Sequence, residues 1–442
     1  MKKLLAATLL IISALSLFSQ NTSLYFPPKV GNTWQTLAPA SLGFCPDRVD
    51  SLYKFLENRR TKGFLLLKDG RIVLEKYFGT FVQDSVWYWA SAGKTASAFL
   101  VGQAKDEGIL SLDDPTSKFL GTGWTSCPPD KEAAITVRHQ ISMSTGLNDT
   151  LTLPGVPDTD NCLEPQCLTF LADAGTRWAY HNAPYHLVHD VLEAASGKTL
   201  NQYSNSRLFA PTGMKALWVN HILYSTPRTM ARFGLLMLAG GIWDGDTLLQ
   251  DADYLYDMTH PSQNLNRSYG YLTWLNGQAS FMLPSLQFVF PGKLVPNAPN
   301  DMYAALGKND QKIHVVPSKG WVVVRMGEAG GPGGQSVPIT FDNQLWKYLN
   351  ELVCQPVSTD EAVDNQVFVQ ISPNPSAIGW QLQSQLPMDG LELFDAQGRF
   401  LQSQSTDGQA TFFLENADLP PGLFFLKIRA GERVAVQRIL KN

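Results

Sequence analysis

Charge is scarce in this sequence. Only 17% of its 442 residues are Asp, Glu, Lys or Arg, against about 25% in an average globular chain, and the formal net charge is −4. No run or stripe of Lys and Arg appears, which argues against a nucleic-acid binder. Beyond residue 20, no segment approaches the ~18 unbroken apolar residues of a membrane span. Cysteines number five, an odd count that leaves at least one thiol unpaired within the chain. Aromatic residues are abundant, with 23 Phe, 14 Tyr and 11 Trp, and apolar residues reach 44%. That composition excludes disorder and supplies a sizeable core. The length suits two or three domains of roughly 100–200 residues each.

The one long apolar run lies at the start. Met1-Lys2-Lys3 precedes a stretch from Leu4 to Phe18 broken only by Thr8, Ser13 and Ser16. Two lysines before so short a run predict a secretory signal peptide over residues 1–20, cleaved near Ser19 or Gln20. No cysteine sits there to carry a lipid. In an exported chain, cysteines can pair. Cys162 and Cys167 are close enough for a local loop around Pro165, and Cys45 can reach Cys354 if the first and last helices pack together. That arrangement leaves Cys127 free, but connectivity is not fixed by sequence.

After Cys354 the text changes. Residues 357–366 read as a polar linker, and residues 367–442 as short alternating strands broken by turns, an all-β module expected to be a small sandwich. The module resembles the C-terminal sorting domain of the type IX secretion system. The resemblance rests on Ser372-Pro373-Asn374-Pro375, Phe394-Asp395-Ala396-Gln397-Gly398, Leu419-Pro420-Pro421-Gly422-Leu423-Phe424 and the ending Gln437-Arg438-Ile439-Leu440-Lys441. It implies export through the periplasm to the cell surface or beyond, with the secretion machinery as partner. The competing reading is a carbohydrate-binding module with exposed aromatics, whereas Phe412, Phe413, Phe424 and Phe425 read as core.

Residues 22–356 form the main body. Asp69-Gly70 between two apolar runs predicts a tight hairpin, and Pro317-Ser318-Lys319-Gly320 a second one near the other end. The text between them is helical. The fold class expected is α+β: an antiparallel sheet, flanked by terminal helices over residues 46–60 and 341–352, with a large helical insert.

Three motifs carry chemistry. In Ser91-Ala92-Gly93-Lys94, the lysine sits one helical turn from the serine. A helix N-terminus favours negative charge at Ser91, and burial lets Lys94 accept a proton as a neutral amine. Ser51-x-x-Lys54 has the same spacing, so spacing alone does not decide. In Tyr180-His181-Asn182, just before Pro184 and an apolar helix face, the tyrosine can relay a proton and the amide can orient substrate. In Leu306-Gly307-Lys308-Asn309-Asp310-Gln311, a strand beside the serine can give a backbone N–H to an oxyanion, here from Gln311 together with that of Ser91. Lys308 offers positive charge, and Asn309 a further substrate contact. His181, His186 and His189 cluster without a glutamate between them, so neither metal nor organic cofactor is expected.

Taken in order, these motifs resemble the serine β-lactamase-like superfamily, in its class C, penicillin-binding, family VIII esterase and aminohexanoate-oligomer hydrolase branch. Supporting text runs from Ile135-Thr136-Val137 to Ser144-Thr145-Gly146-Leu147 and through Ser225-Thr226-Pro227-Arg228. The resemblance implies that Ser91 is acylated, Lys94 is its base, Tyr180 relays the proton, and Asn182 touches the substrate. The departure is Asp310, where the family has glycine. A charge there is expected to repel a β-lactam carboxylate, so an ester or amide is the expected small-molecule substrate. A β-lactamase, a D-amino-acid peptidase and a non-catalytic binding protein of the same fold are the alternatives.

Overall fold

The computed structural model describes residues 24–331, 339–354, 369–416, 418–431 and 433–442. The expected signal peptide, the 357–366 linker and the end of the Gly330–Gly331 glycine cluster lie outside these residues. Two compact units divide the chain between Cys354 and Gln355.

The first unit is built on a six-stranded antiparallel sheet. Its strands are β1 (Thr61–Lys68), β2 (Arg71–Tyr77), β3 (Trp274–Leu275), β4 (Tyr303–Gly307), β5 (Gln311–Val316) and β6 (Trp321–Gly327), in the spatial order β2-β1-β6-β5-β4-β3. Strands from the two ends of the sequence therefore meet at the β1–β6 pair in mid-sheet. Asp69 and Gly70 both take positive φ, as a two-residue hairpin turn requires.

Side-chain alternation assigns helices to the two faces of the sheet. On one face, Lys312, His314 and Trp321 meet α5 (Ile339–Asn350) through Asp342 and Trp346. Helix α1 (Pro46–Asn58) packs beside it, stacking Phe55 on Phe341 and Tyr348 with ring centroids 5.6 and 4.5 Å apart. On the other face, Ile313 and Val322 meet α4 (Pro227–Leu238) at Gly234, where a Cβ would stand 2.4 Å from Val322. Glycine lets that helix lie directly on the sheet. The helical insert supplies α2 (Gly93–Asp106) and α3 (Asn182–Ser196). Helix α2 is buried from Gly93 to Ala104, so it is enclosed on all sides, with Lys94, Thr95, Ser97 and Gln103 as polar side chains inside it.

Disulfides join Cys45 to Cys354 and Cys162 to Cys167, leaving Cys127 as a half-buried free thiol. The first bridge closes the α1–α5 pair, where Cys45 N–H also donates to Leu352 and Cys354 N–H to Gly43.

The second unit is all-β. Its strands belong to one hydrogen-bonded sheet organised around Gly379–Asp395, which pairs along one edge with Phe400–Glu415 and along the other with Val369–Ser372 and Gly422–Ala430. Trp380, Leu382, Leu393, Leu426 and Ile428 form its core. The expectation of four core phenylalanines is corrected. Phe424 is buried and Phe413 exposed, with Phe412 and Phe425 between, because neighbours in a strand face opposite ways.

A charged network is sealed under α5. Lys312 Nζ lies 2.9 Å from Asp342 and 3.3 Å from Asp310, and His314 Nε2 lies 2.9 Å from Asp342, all at most 1% exposed. Trp346 donates to His314 Nδ1, so Nε2 carries the proton toward Asp342. Burial pushes the Asp342 carboxyl up, but Lys312 and His314 outweigh it and hold it below the usual range. Removing one partner strands a buried charge, at a cost of about 3–5 kcal/mol. Asp342→Ala is expected to lower the urea midpoint accordingly. The Asp342 contribution is present above the unfolded carboxylate pKa of about 4 and lost as pH falls through the lower folded value, so the deficit narrows in acid.

Candidate active site

Ser91 stands in the 3-10 turn Ala90–Ala92 that leads into α2. The turn is held from behind by Trp89, fully buried, whose indole N–H donates to Ser225 at 2.7 Å and whose backbone N–H donates to Leu223. Ala90, next to the serine, takes φ 47°, a left-handed conformation that non-glycine residues rarely adopt. Such strain persists only where surrounding packing imposes it.

One turn on, Lys94 is 3% exposed. Its Nζ lies 3.2 Å from Ser91 Oγ and 2.8 Å from Asn182 Oδ1, above the faces of Tyr185 at 4.1 Å and Tyr180 at 5.1 Å. Burial lowers its pKa to about 7, with the Asp160 carboxylate pulling the other way. A large fraction of this amine is therefore neutral at neutral pH.

Tyr180 is boxed by Trp178, Tyr269 and Trp274, the last stacked on it at 5.7 Å. Burial raises its pKa strongly, with the Ser91 hydroxyl opposing, so it stays a protonated phenol. The hydroxyl is buried and has no hydrogen-bond partner among the described residues. Asn182 is the first residue of α3, whose N-cap position is His181. Its amide bridges Lys94 and Asp160: Asp160 Oδ1 accepts the backbone N–H at 3.0 Å and Oδ2 accepts Nδ2 at 2.6 Å.

Ser91, Lys94, Tyr180, Asn182 and Lys308 line a single cavity of about 600 Å³. The third motif differs from its expected form. Lys308-Asn309-Asp310 is not strand but the tight turn joining β4 to β5, with Asn309 and Asp310 both at positive φ. Lys308 faces the cavity, whereas Asn309 donates its amide to Tyr88 Oη at 2.7 Å and Gln311 is fully buried. The Gln311 side chain instead laces the turn to β6, donating to Asn309 O and Gly327 O and accepting from Gly327 N–H.

Asp310 also departs from expectation. Its carboxylate is 1% exposed, accepting Gly330 N–H at 2.8 Å and facing Lys312 at 3.3 Å, so its charge is spent inside the protein. The positive φ of the turn rotates the side chain inward, and Arg325 clamps the Asn309 and Asp310 carbonyls from below. Gly307, just before the turn, touches the segment that carries Ser91. A Cβ there would lie 2.3 Å from Trp89 O and 3.0 Å from Ala92 N, so only glycine brings the turn this near.

Several cavity residues escaped the motif search. Asp158 and Asp160 come from the segment before Cys162, and His221 from the tip of a hairpin whose Asn220 and His221 both take positive φ. His186 stacks on His221 at 4.7 Å, while His189 is buried against Ser97 at 2.8 Å and His181 is buried away from the cavity. Among the described residues, no group of three or more His, Cys, Asp or Glu is placed to hold a metal ion.

Residues 54–336, more than half of the chain, match the Beta-lactamase family, and residues 370–442 match the Secretion system C-terminal sorting domain. No curated protein matches the chain. Solved structures similar to it include a Bacillus anthracis protein assigned as a 6-aminohexanoate-dimer hydrolase (16% identity, TM-score 0.56, covering 74% of this chain and 89% of that one). Another is a Bacteroides dorei protein assigned as a β-lactamase (19% identity, TM-score 0.53, covering 71% and 100%). A third is EstCE1, described as a hydrolase with promiscuous acyltransferase activity (14% identity, TM-score 0.51, covering 69% and 97%). At these identities the likeness is one of fold. The chain belongs to the β-lactamase family and carries a type IX sorting domain that directs it to the cell surface or the extracellular space.

Proposed function

We propose that the protein is a serine hydrolase that forms an acyl-enzyme at Ser91 from a small ester or amide. The observation that carries this reading is Lys94, buried, 3.2 Å from Ser91 Oγ and poised near neutrality. A neutral amine at that distance takes the hydroxyl proton as Oγ attacks the substrate carbonyl. Negative charge then develops on the carbonyl oxygen beside the N-terminus of α2, where backbone N–H dipoles favour it. The Ser91 N–H is one donor, and the Gly307–Gln311 turn, pressed on the Ser91 segment, is the source of the second. Tyr180, a phenol at neutral pH, passes a proton to the leaving group as the tetrahedral intermediate collapses and regains it through Lys94. Water then attacks the ester carbon by the reverse route, releasing the acid and Ser91.

The cavity wall bears on the substrate. Asp310 does not bring charge to it, but Asp158 and Asp160 do, in a lining that also includes the exposed Lys308. Two carboxylates disfavour a ligand whose recognition depends on its own carboxylate, which supports an ester or amide over a β-lactam. The neighbour EstCE1, described as a hydrolase with promiscuous acyltransferase activity, is consistent with an acyl-enzyme.

Intact-mass spectrometry with a fluorophosphonate probe is expected to show one adduct on the wild type and none on Ser91→Ala. Turnover of p-nitrophenyl esters is expected to exceed that of a chromogenic cephalosporin, and the reverse order would establish a β-lactamase. A well-folded wild type with no adduct would leave the binding-protein reading in its place.

The labelling rate is expected to rise with pH through about 7 and level off above it, because Lys94 must shed its proton before it can accept one. Lys94→Arg keeps the charge but cannot become neutral, so labelling is expected to fall by about 10²–10⁴-fold with the rise through pH 7 abolished.

A further inference from the structure

Lys94 accepts the Ser91 proton only if its other hydrogen-bonding directions are spent elsewhere, and the structure shows what spends one of them. Asn182 Oδ1 accepts from Lys94 at 2.8 Å. An amide can be turned end for end, and nothing in Asn182 itself decides which end faces the amine. Asp160 decides it. A carboxylate only accepts, so Oδ2 of Asp160, 2.6 Å from the amide, admits Nδ2 and sends Oδ1 toward Lys94. Its Oδ1 holds the Asn182 backbone N–H at 3.0 Å, an orphan donor of the first turn of α3.

We infer that Asp160 is a positioning residue for the Ser91 chemistry, fixing through the Asn182 amide the orientation and the charge of Lys94. The inference rests on the reading of Ser91 as nucleophile. Asp160 sits in the short turn Thr159–Asn161, beside the Cys162–Cys167 disulfide that closes this wall of the cavity. A residue 22 positions before Asn182 thus acts as the missing side-chain cap of α3 and as the guide of its first side chain.

Asp160→Asn separates those two jobs. The new amide keeps an oxygen for the backbone N–H of Asn182, so the helix end remains capped. Its nitrogen, however, meets Asn182 Nδ2 donor to donor. Asn182 relieves that clash by turning over, and then presents Nδ2 to Lys94, which meets the ammonium form donor to donor and, in the neutral form, occupies the lone pair that Ser91 needs. The negative charge that favours the ammonium form is lost as well. Of the other titratable groups around Lys94, Tyr180 precedes α3, Tyr185, His186 and His189 lie on it, His221 packs on His186 and His189, and Asp158 and Lys308 line the same cavity, with Asp160 the carboxylate whose charge acts on the amine. Burial keeps His186 and His189 neutral, and both tyrosines are held protonated, so none of these replaces the lost carboxylate.

The test uses the full chain as wild type, Asp160→Asn and Asp160→Glu. Fluorophosphonate labelling is followed from pH 5 to 9, with trace acetylation of Lys94 read by peptide mass spectrometry to titrate the amine directly, and melting temperature as control. In Asp160→Asn the plateau labelling rate is expected to fall about 10- to 100-fold, the scale of a misplaced catalytic group. The acid limb and the Lys94 titration are both expected to move to lower pH, with the melting temperature near that of the wild type. Asp160→Glu, which restores the charge, is expected to move the limb back toward the wild-type position. Wild-type labelling and an unmoved Lys94 titration in Asp160→Asn would overturn the inference. So would a slower rate with an unmoved titration and a lowered melting temperature, since that is what a purely structural cap produces. A wild type without a Ser91 adduct would sink the nucleophile reading instead, while a shifted Lys94 titration in Asp160→Asn would still support the hold of Asp160 on the amine.

Discussion

An amine stays buried and near neutrality only where its surroundings supply apolar bulk without a full counter-charge, and the first unit is arranged around that requirement at Lys94. Helix α2 is enclosed on all sides, so its first turn has no route to water except the cavity. Tyr180 and Tyr185 cover the amine with ring faces rather than carboxylates. The nearby acid, Asp160, is engaged with the Asn182 amide and reaches Lys94 only through it. A direct ion pair would hold the ammonium form.

The same site needs a rigid floor, and the sheet provides it by unusual means. The turn after β4 runs through two left-handed residues, and contacts with neighbouring segments keep it in that shape. The hold comes from below: Arg325 reaches the Asn309 and Asp310 carbonyls, Gln311 ties them to Gly327, and Asp310 folds inward to Gly330 and Lys312. Charge at position 310 is thus a structural fixture of the floor. Gly307 then brings that floor against the serine turn.

The first and last helices and the two hairpins were legible because each has a local signal, apolar periodicity or turn residues between apolar runs, whereas the pairing of the cysteines was left open by the sequence and decided by the fold. Ser91, Lys94, Tyr180 and Asn182 were found because short motifs fall within one or two turns of chain, and the structure brings all four to one cavity with Lys308. The strand expected through Lys308-Asn309-Asp310 was not there, since nothing local distinguishes an edge strand ending from one that turns. The side chains of Asn309 and Gln311 consequently reach Tyr88 and β6, while the part expected of Gln311 in an oxyanion site concerns its backbone N–H.

By itself the sequence determined the elements, the order of the motifs, the sorting signal and the residue types available for chemistry, because those are set by neighbours a few positions apart. Only the tertiary structure decided which groups meet. Asp160 comes from an irregular segment with no periodicity to mark it, His221 from a hairpin tip, and the inward turn of Asp310 from contacts with Lys312 and Gly330. The pKa of Lys94 belongs to the same class: the spacing Ser-x-x-Lys occurs twice in this chain, and it is burial, a property of the packed molecule, that separates Lys94 from Lys54.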